Sequence, residues 1–248
     1  MQKFRTEVDI SPHTEKLDYN HYSFLIGSCF TQNIGSILME CGFNTLVNPY
    51  GVLYNPYSIY KSFEFILGNH HFHKDDLIYH NEQWLSLHHH TSFSDDTKEA
   101  CLKKINNATT TAHEFLNKSR FIVITFGTSW IYEWKETGEI VSNCHKIPAV
   151  KFNRRRLSTH EIIKLYDKLL NRLNQNFPDI QFIFTISPVR HWKDGAIENQ
   201  ISKSILFVSV HELLERFENC SYFPAYEIVM DDLRDYRFYN EDMLHPNS

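Results

Sequence analysis

The chain is 248 residues long, 42% hydrophobic and 15% aromatic, which suffices for one substantial α/β domain with its own core. Its net charge of −5 gives no reason to expect nucleic acid or an anionic membrane as a partner, and no run nears the roughly 18 apolar residues that span a bilayer. Residues 1–13 lack the apolar core of a signal peptide, and the five cysteines, an odd number without short paired spacing, suit reduced thiols in the cytoplasm. No Gly-, Ser- or Pro-rich linker interrupts the chain, so residues 1–248 are expected to form a single domain.

The first predicted element is a buried strand over residues 23–26, followed by Gly27-Ser28-Cys29-Phe30 and a helix over residues 31–42, where Ile34, Ile37, Leu38 and Cys41 recur at helical spacing. A short strand at 45–47 and a helix at 55–67 follow, the helix carrying Ile59, Phe63, Ile66 and Leu67 on one face. Residues 75–92 read as a β-hairpin inserted on the surface. Residues 95–117 read as a long helix capped by Ser94 or Asp95. The strand at 121–126 is apolar on both faces, as a central parallel strand should be. Ser158 with Glu161 forms a capping box that opens a helix ending before Pro178. A buried strand at 180–186, a helix at 198–217 and a strand at 222–228 complete the order, with Pro224 placing the last strand at an edge. This alternation predicts a parallel sheet with helices on both faces and ligands bound beyond the strand C-termini. Ser28, Gly51, Gly127 and Ser187 all follow predicted strands or lie close to their ends.

Ser28 therefore stands at a strand-to-helix turn. A serine here serves either as a helix N-cap or as a nucleophile whose proton a base removes. His245 is the candidate base. Asp242, three residues earlier, is placed to hold the other imidazole nitrogen and stabilise the imidazolium. Cys29 is the alternative nucleophile, but successive residues leaving a strand point to opposite sides, and cysteine is often simply buried. The fifteen histidines include His70, His71 and His73 and the run His88 to His90. Consecutive histidines on a strand alternate faces and do not share one ion, so they are read as a polar surface hairpin, with no metal and no cofactor expected. Arg154, Arg155 and Arg156 read as a solvated loop before a helix. Arg190 is a candidate for an anionic group on a substrate, as are His191 and Arg237, whereas Arg234 is expected to pair with acids of its own segment.

Several blocks resemble one family: Gly27-Ser28-Cys29-Phe30-Thr31, residues 48–56, Thr125-Phe126-Gly127-Thr128, Asn143-Cys144-His145-Lys146, residues 187–191, Glu198-Asn199-Gln200, residues 222–227 and residues 233–238. On these the chain resembles the GSCFA family of bacterial proteins, which is grouped with the SGNH hydrolases, with Thr31 in place of the final alanine of the family's name. The resemblance implies a three-layer α/β/α fold around five parallel strands in flavodoxin-like order, 2-1-3-4-5. It also implies a catalytic triad of Ser28, Asp242 and His245, with oxyanion donors from the Ser28 N–H, from Gly51 and from an asparagine after the third strand. That asparagine is absent: the chain has Gly127-Thr128-Ser129 there. Asn143 or Asn199 would substitute, or the oxyanion hole is weaker by about 100- to 1000-fold in rate. The implied activity is an acyl esterase, on a small-molecule or carbohydrate ester. The missing asparagine equally motivates a binding protein that keeps the fold without turnover. Oligomeric state is not legible. Family members usually continue past this point with a further helical segment, so the resemblance implies a longer protein and a loosely held Asp242–His245 loop.

Overall fold

A computed structural model describes residues 6–10 and 15–247. Its centre is a sheet of five parallel strands: β1 (Tyr22–Gly27), β2 (Thr45–Val47), β3 (Ser119–Phe126), β4 (Gln181–Ile186) and β5 (Cys220–Tyr222). They lie in the order β2-β1-β3-β4-β5, with Leu25 opposite Val47 on one side and Val123 on the other, and Val123 opposite Ile183. Five helices cover the sheet: α1 (Cys29–Glu40), α2 (Pro56–Leu67), α3 (Lys98–Leu116), α4 (Thr159–Asn176) and α5 (Gly195–Arg216). The result is the expected three-layer α/β/α architecture. Phe24, Ile26, Ile122, Ile124, Phe126, Phe182, Phe184 and Ile186 are all fully buried in one continuous core, because helices pack on both faces of a parallel sheet.

Local signals explain most boundaries. Asn55 accepts the Ser58 N–H and Pro56 sits at the first helical position, which starts α2. Ser158 and Glu161 close a reciprocal capping box at α4. The cap of α3 is Thr97, which accepts from Ala100, and not Ser94 or Asp95. Asp95 instead exchanges both backbone hydrogen bonds with Trp84, so it is held against the hairpin and is not free to cap. The last strand stops at Tyr222, well short of residue 228. Pro224 ends it, and Ala225–Glu227 and Ile228–Asp232 turn helically.

The hairpin is present, as Ile78–His80 paired with Gln83–Leu85. Of its histidines, His70, His71, His73 and His90 are exposed as expected of a polar surface, whereas His89 is not. His89 is fully buried and its ring packs 4.3 Å from that of Tyr50 and 5.0 Å from that of Phe72. His145 binds the Ser86 carbonyl through Nε2 at 2.8 Å. These contacts pack the segment after the hairpin against the loops that hold Tyr50, Phe72 and His145. Among the described residues no group of three metal-ligating side chains converges.

A second insertion, between β3 and α4, was not predicted. Trp130–Trp134 pairs antiparallel with Ile140–Val141 and with Phe152–Arg156. The arginine triplet is therefore a strand and not a solvated loop. Arg154 binds Asp194 at 2.6 Å, Arg155 binds Glu133 and Glu161 at 2.8 Å, and Arg156 binds Glu198. Arg154 and Arg156 also cover the Trp130 ring, at 4.0 and 5.0 Å. These pairs staple the insertion to the starts of α4 and α5. Among the described residues, no helix is long and apolar enough to cross a membrane.

Candidate active site

The site begins where β1 ends. Gly27 has φ +147°, and a Cβ there would lie 2.3 Å from the Thr125 carbonyl oxygen, so only glycine lets β1 leave the sheet so close to β3. Its N–H donates to Asn48 Oδ1 at 2.8 Å, which fixes the turn from a second loop. Ser28 follows as the residue that caps α1 in backbone geometry, yet its side chain caps nothing. The hydroxyl is buried, with the residue 1% exposed, and has no hydrogen-bond partner. Leaving a buried hydroxyl unpaired costs on the order of 1–3 kcal/mol, so the local structure gains nothing from a serine here. A Cβ on Gly127 would lie 3.5 Å from the Ser28 Cβ and 3.4 Å from a ring carbon of Tyr54, so the loop after β3 and Tyr54 close over the serine.

The hydrogen bonds of the candidate oxyanion donors are made to other partners. The Gly51 N–H donates to the Asn48 carbonyl at 2.8 Å, in a turn with φ +44° at Asn48 and +82° at Gly51. The N–H groups of Gly127 and Thr128 both donate to the Tyr54 carbonyl. Ser129 faces away, with its N–H and hydroxyl both on Ser202 Oγ, at 2.8 and 3.1 Å. Asn143 is held in its own loop, donating to Thr91 Oγ1 and accepting from the His145 N–H. Asn199 is buried, and its Oδ1 accepts the His191 N–H at 2.9 Å, which orders the loop after β4.

Asp242 and His245 meet as their spacing predicts. His245 Nδ1 donates to Asp242 Oδ2 at 2.5 Å. Asp242 Oδ1 accepts the N–H groups of Leu244 and His245, at 2.9 and 3.0 Å. These backbone bonds, with the imidazole, hold the Asp242 carboxyl down at about 2. The loop carries local hydrogen bonds within residues 237–247, and the Asp242 and His245 side chains are exposed. Asn240 donates to the His245 carbonyl, Asn247 donates to the Phe238 carbonyl, and the Asn247 side chain reaches the Arg237 carbonyl at 2.6 Å. His245 and Ser28 are not joined in this structure, since Ser28 Oγ has no hydrogen-bond partner. The sequence model of the GSCFA family matches residues 23–248, from within β1 through this loop. The chain belongs to the GSCFA family. No curated protein and no solved structure matches it.

This GSCFA chain carries one residue at the strand ends that the sequence reading passed over. Lys203, on α5, is fully buried, and its Nζ donates to the carbonyls of Gly127 at 2.7 Å and Ser187 at 2.5 Å. The signal was present: Lys203 follows Asn199 by four residues and precedes Leu206 and Val210 by three and seven, so it lies on the apolar stripe. Burial pushes its pKa down to about 7, with Arg190 adding to the effect and Cys29 opposing it. Cys29 is thus at the same edge of the sheet as Ser28. Burial raises its thiol pKa, which keeps it protonated and a poor nucleophile.

Beyond Lys203 a cavity of about 760 Å³ opens, lined by Arg190, Trp192, Tyr226, Tyr239 and Asp242 among others. Tyr226 connects the two regions, its ring centre lying 5.9 Å from Lys203 Nζ. Arg234 pairs with Asp231, and Arg237 with Asp235 at 3.6 Å.

Proposed function

We propose that this GSCFA protein is a serine ester hydrolase of the SGNH type that removes an acyl group, with an O-acetylated carbohydrate as the substrate class that the superfamily analogy suggests. The observation that carries this is the buried, uncommitted Ser28 hydroxyl at the end of β1, and the preformed Asp242–His245 pair is the proposed base. In the proposed reaction His245 takes the Ser28 proton through Nε2 as Oγ attacks the ester carbonyl. Asp242 keeps the Nδ1 proton in place and stabilises the imidazolium. The leaving alcohol takes the proton back from His245, and water then hydrolyses the acyl-serine by the same route in reverse roles. The Ser28 N–H and the Gly51 N–H are the proposed oxyanion donors. For Gly51 this requires the N–H to leave the Asn48 carbonyl, and for His245 it requires the loop of residues 239–246 to approach Ser28. A serine-directed fluorophosphonate tests the reading: it should label Ser28, and the label should vanish in Ser28→Ala. Absence of labelling in well-folded protein counts against an esterase.

A second reading is a binding protein that keeps the SGNH fold without turnover. The engagement of Gly51, Gly127 and Ser129 with Asn48, Tyr54 and Ser202 favours it. It expects ligand-induced thermal stabilisation that survives Ser28→Ala, with no product from a panel of esters.

A further inference from the structure

The cavity beside Asp242 has the size of a small-ligand site, since such pockets span roughly 300–1,000 Å³. Its charges are unequal in a specific way. Asp231, Asp235 and Asp242 each line it, and each already has a cationic or imidazole partner, in Arg234, Arg237 and His245. Arg190 has none. Its Nε is buried without a hydrogen-bond partner, and among the described residues its guanidinium enters no ion pair. Arginine cannot relieve this by losing its proton, so a guanidinium held against a pocket without an anion is a site awaiting one. Lys203 lies close enough to feel its charge, but its Nζ is turned to the Gly127 and Ser187 carbonyls and does not line the cavity, so Arg190 is the unpaired cation there. The guanidinium fork matches the two oxygens of a carboxylate. The rest of the wall is apolar, with Met230, Met243 and Leu244 beside four aromatic residues: Trp192, Tyr226, Tyr236 and Tyr239 offer flat rings with polar edges, which suit a ring that carries hydroxyls.

We propose that Arg190 makes this cavity an acid-selective subsite, so that the substrate is an acyl ester of a carboxylate-bearing sugar ring, such as an O-acetylated uronic acid. The ester part rests on the esterase reading above; the acid subsite does not. The carboxylate binds Arg190, the ring lies against the tyrosines and Trp192, and the ester extends toward Asp242–His245 and the serine turn.

Binding to the full chain carrying Ser28→Ala separates the two ideas, because no turnover is needed. The probes are glucuronate, glucose and glucose 6-phosphate, compared by calorimetry and by ligand-observed NMR at fixed ionic strength. Glucuronate should bind at least about tenfold more tightly than glucose. Arg190→Gln should abolish that preference, whereas Arg234→Gln, which removes an already paired arginine at the same cavity, should retain it. Equal binding of glucuronate and glucose, no saturable binding of either, or a preference that survives Arg190→Gln in folded protein overturns the proposal. Tighter binding of glucose 6-phosphate than of glucuronate overturns the carboxylate assignment in favour of a phosphate. If the acid preference holds while fluorophosphonate fails to label Ser28, the esterase reading falls and the subsite stands.

Discussion

Lys203 Nζ sits 2.7 Å from the carbonyl oxygen of Gly127, a residue that lies against Ser28 and Tyr54. The same amine reaches the Ser187 carbonyl. One side chain on α5 therefore ties the C-terminal ends of β3 and β4 together beside the serine turn, and it does so from a fully buried position. The loops that close over Ser28 are anchored by a titratable group.

That anchor makes stability depend on pH. Burial lowers the Lys203 pKa from its ordinary 10.5 to about 7. Between those values the unfolded chain carries a proton at this lysine that the folded chain lacks, so stability rises with pH across the window. The penalty of burial is fully present below about pH 7 and absent above 10.5. The slope from this one group approaches about 1.4 kcal/mol per pH unit. Melting temperatures of the wild type and Lys203→Met, followed from pH 7 to pH 9, should show the wild type gaining on the variant. A difference that stays constant with pH would mean that Lys203 does not titrate in this range.

A second prediction concerns the turn itself. Alanine at Gly27 would put a Cβ 2.3 Å from the Thr125 carbonyl, a backbone atom that cannot swing aside, at φ +147°. Gly27→Ala should cost about 3 kcal/mol or more, from strain and overpacking together. Gly138 is the control, with φ +73° but no atom within 4 Å of an added Cβ, so Gly138→Ala pays only the backbone term of about 1–2 kcal/mol. Urea denaturation of both variants decides the matter: equal losses would show that close approach to β3 is not what requires the glycine.

The parts of this fold that the sequence announces are those whose pattern has one physical explanation. The strand at Phe121 to Phe126 is apolar on both faces, short and rich in β-branched residues, a combination that points to a strand buried on both sides. Ser158 with Glu161 has one common use. The Arg154 triplet was opaque because a strand's alternation is hidden when both faces are charged. Its folding logic lies in Glu133, Glu161, Asp194 and Glu198, which are distant in sequence and become partners only in three dimensions. Lys203 was passed over for a related reason, since a lysine on an apolar stripe makes sense only once two carbonyls from different loops are seen to meet it. Asp242 and His245 were legible because their three-residue spacing nearly guarantees contact. Ser28 and His245 stand 217 positions apart, and their meeting depends on loops whose placement no spacing encodes.

The last prediction tests that local pair. Asp242 does two jobs: it accepts the Nδ1 proton of His245, and it accepts the backbone N–H groups of Leu244 and His245 that shape the loop. Asn can retain the second job through its amide oxygen. It then presents an NH₂ group to Nδ1, which becomes an acceptor and shifts the imidazole proton to Nε2. A base already protonated at Nε2 cannot take a proton from Ser28. Asp242→Asn should therefore leave the melting temperature nearly unchanged while lowering kcat on the order of 10⁴-fold. Asp242→Ala should lose the same activity and also loosen the loop, visible as faster amide exchange at Leu244 and His245. Turnover of an aryl acetate by Asp242→Asn within a factor of ten of the wild type would remove Asp242, and with it the proposed triad, from the mechanism.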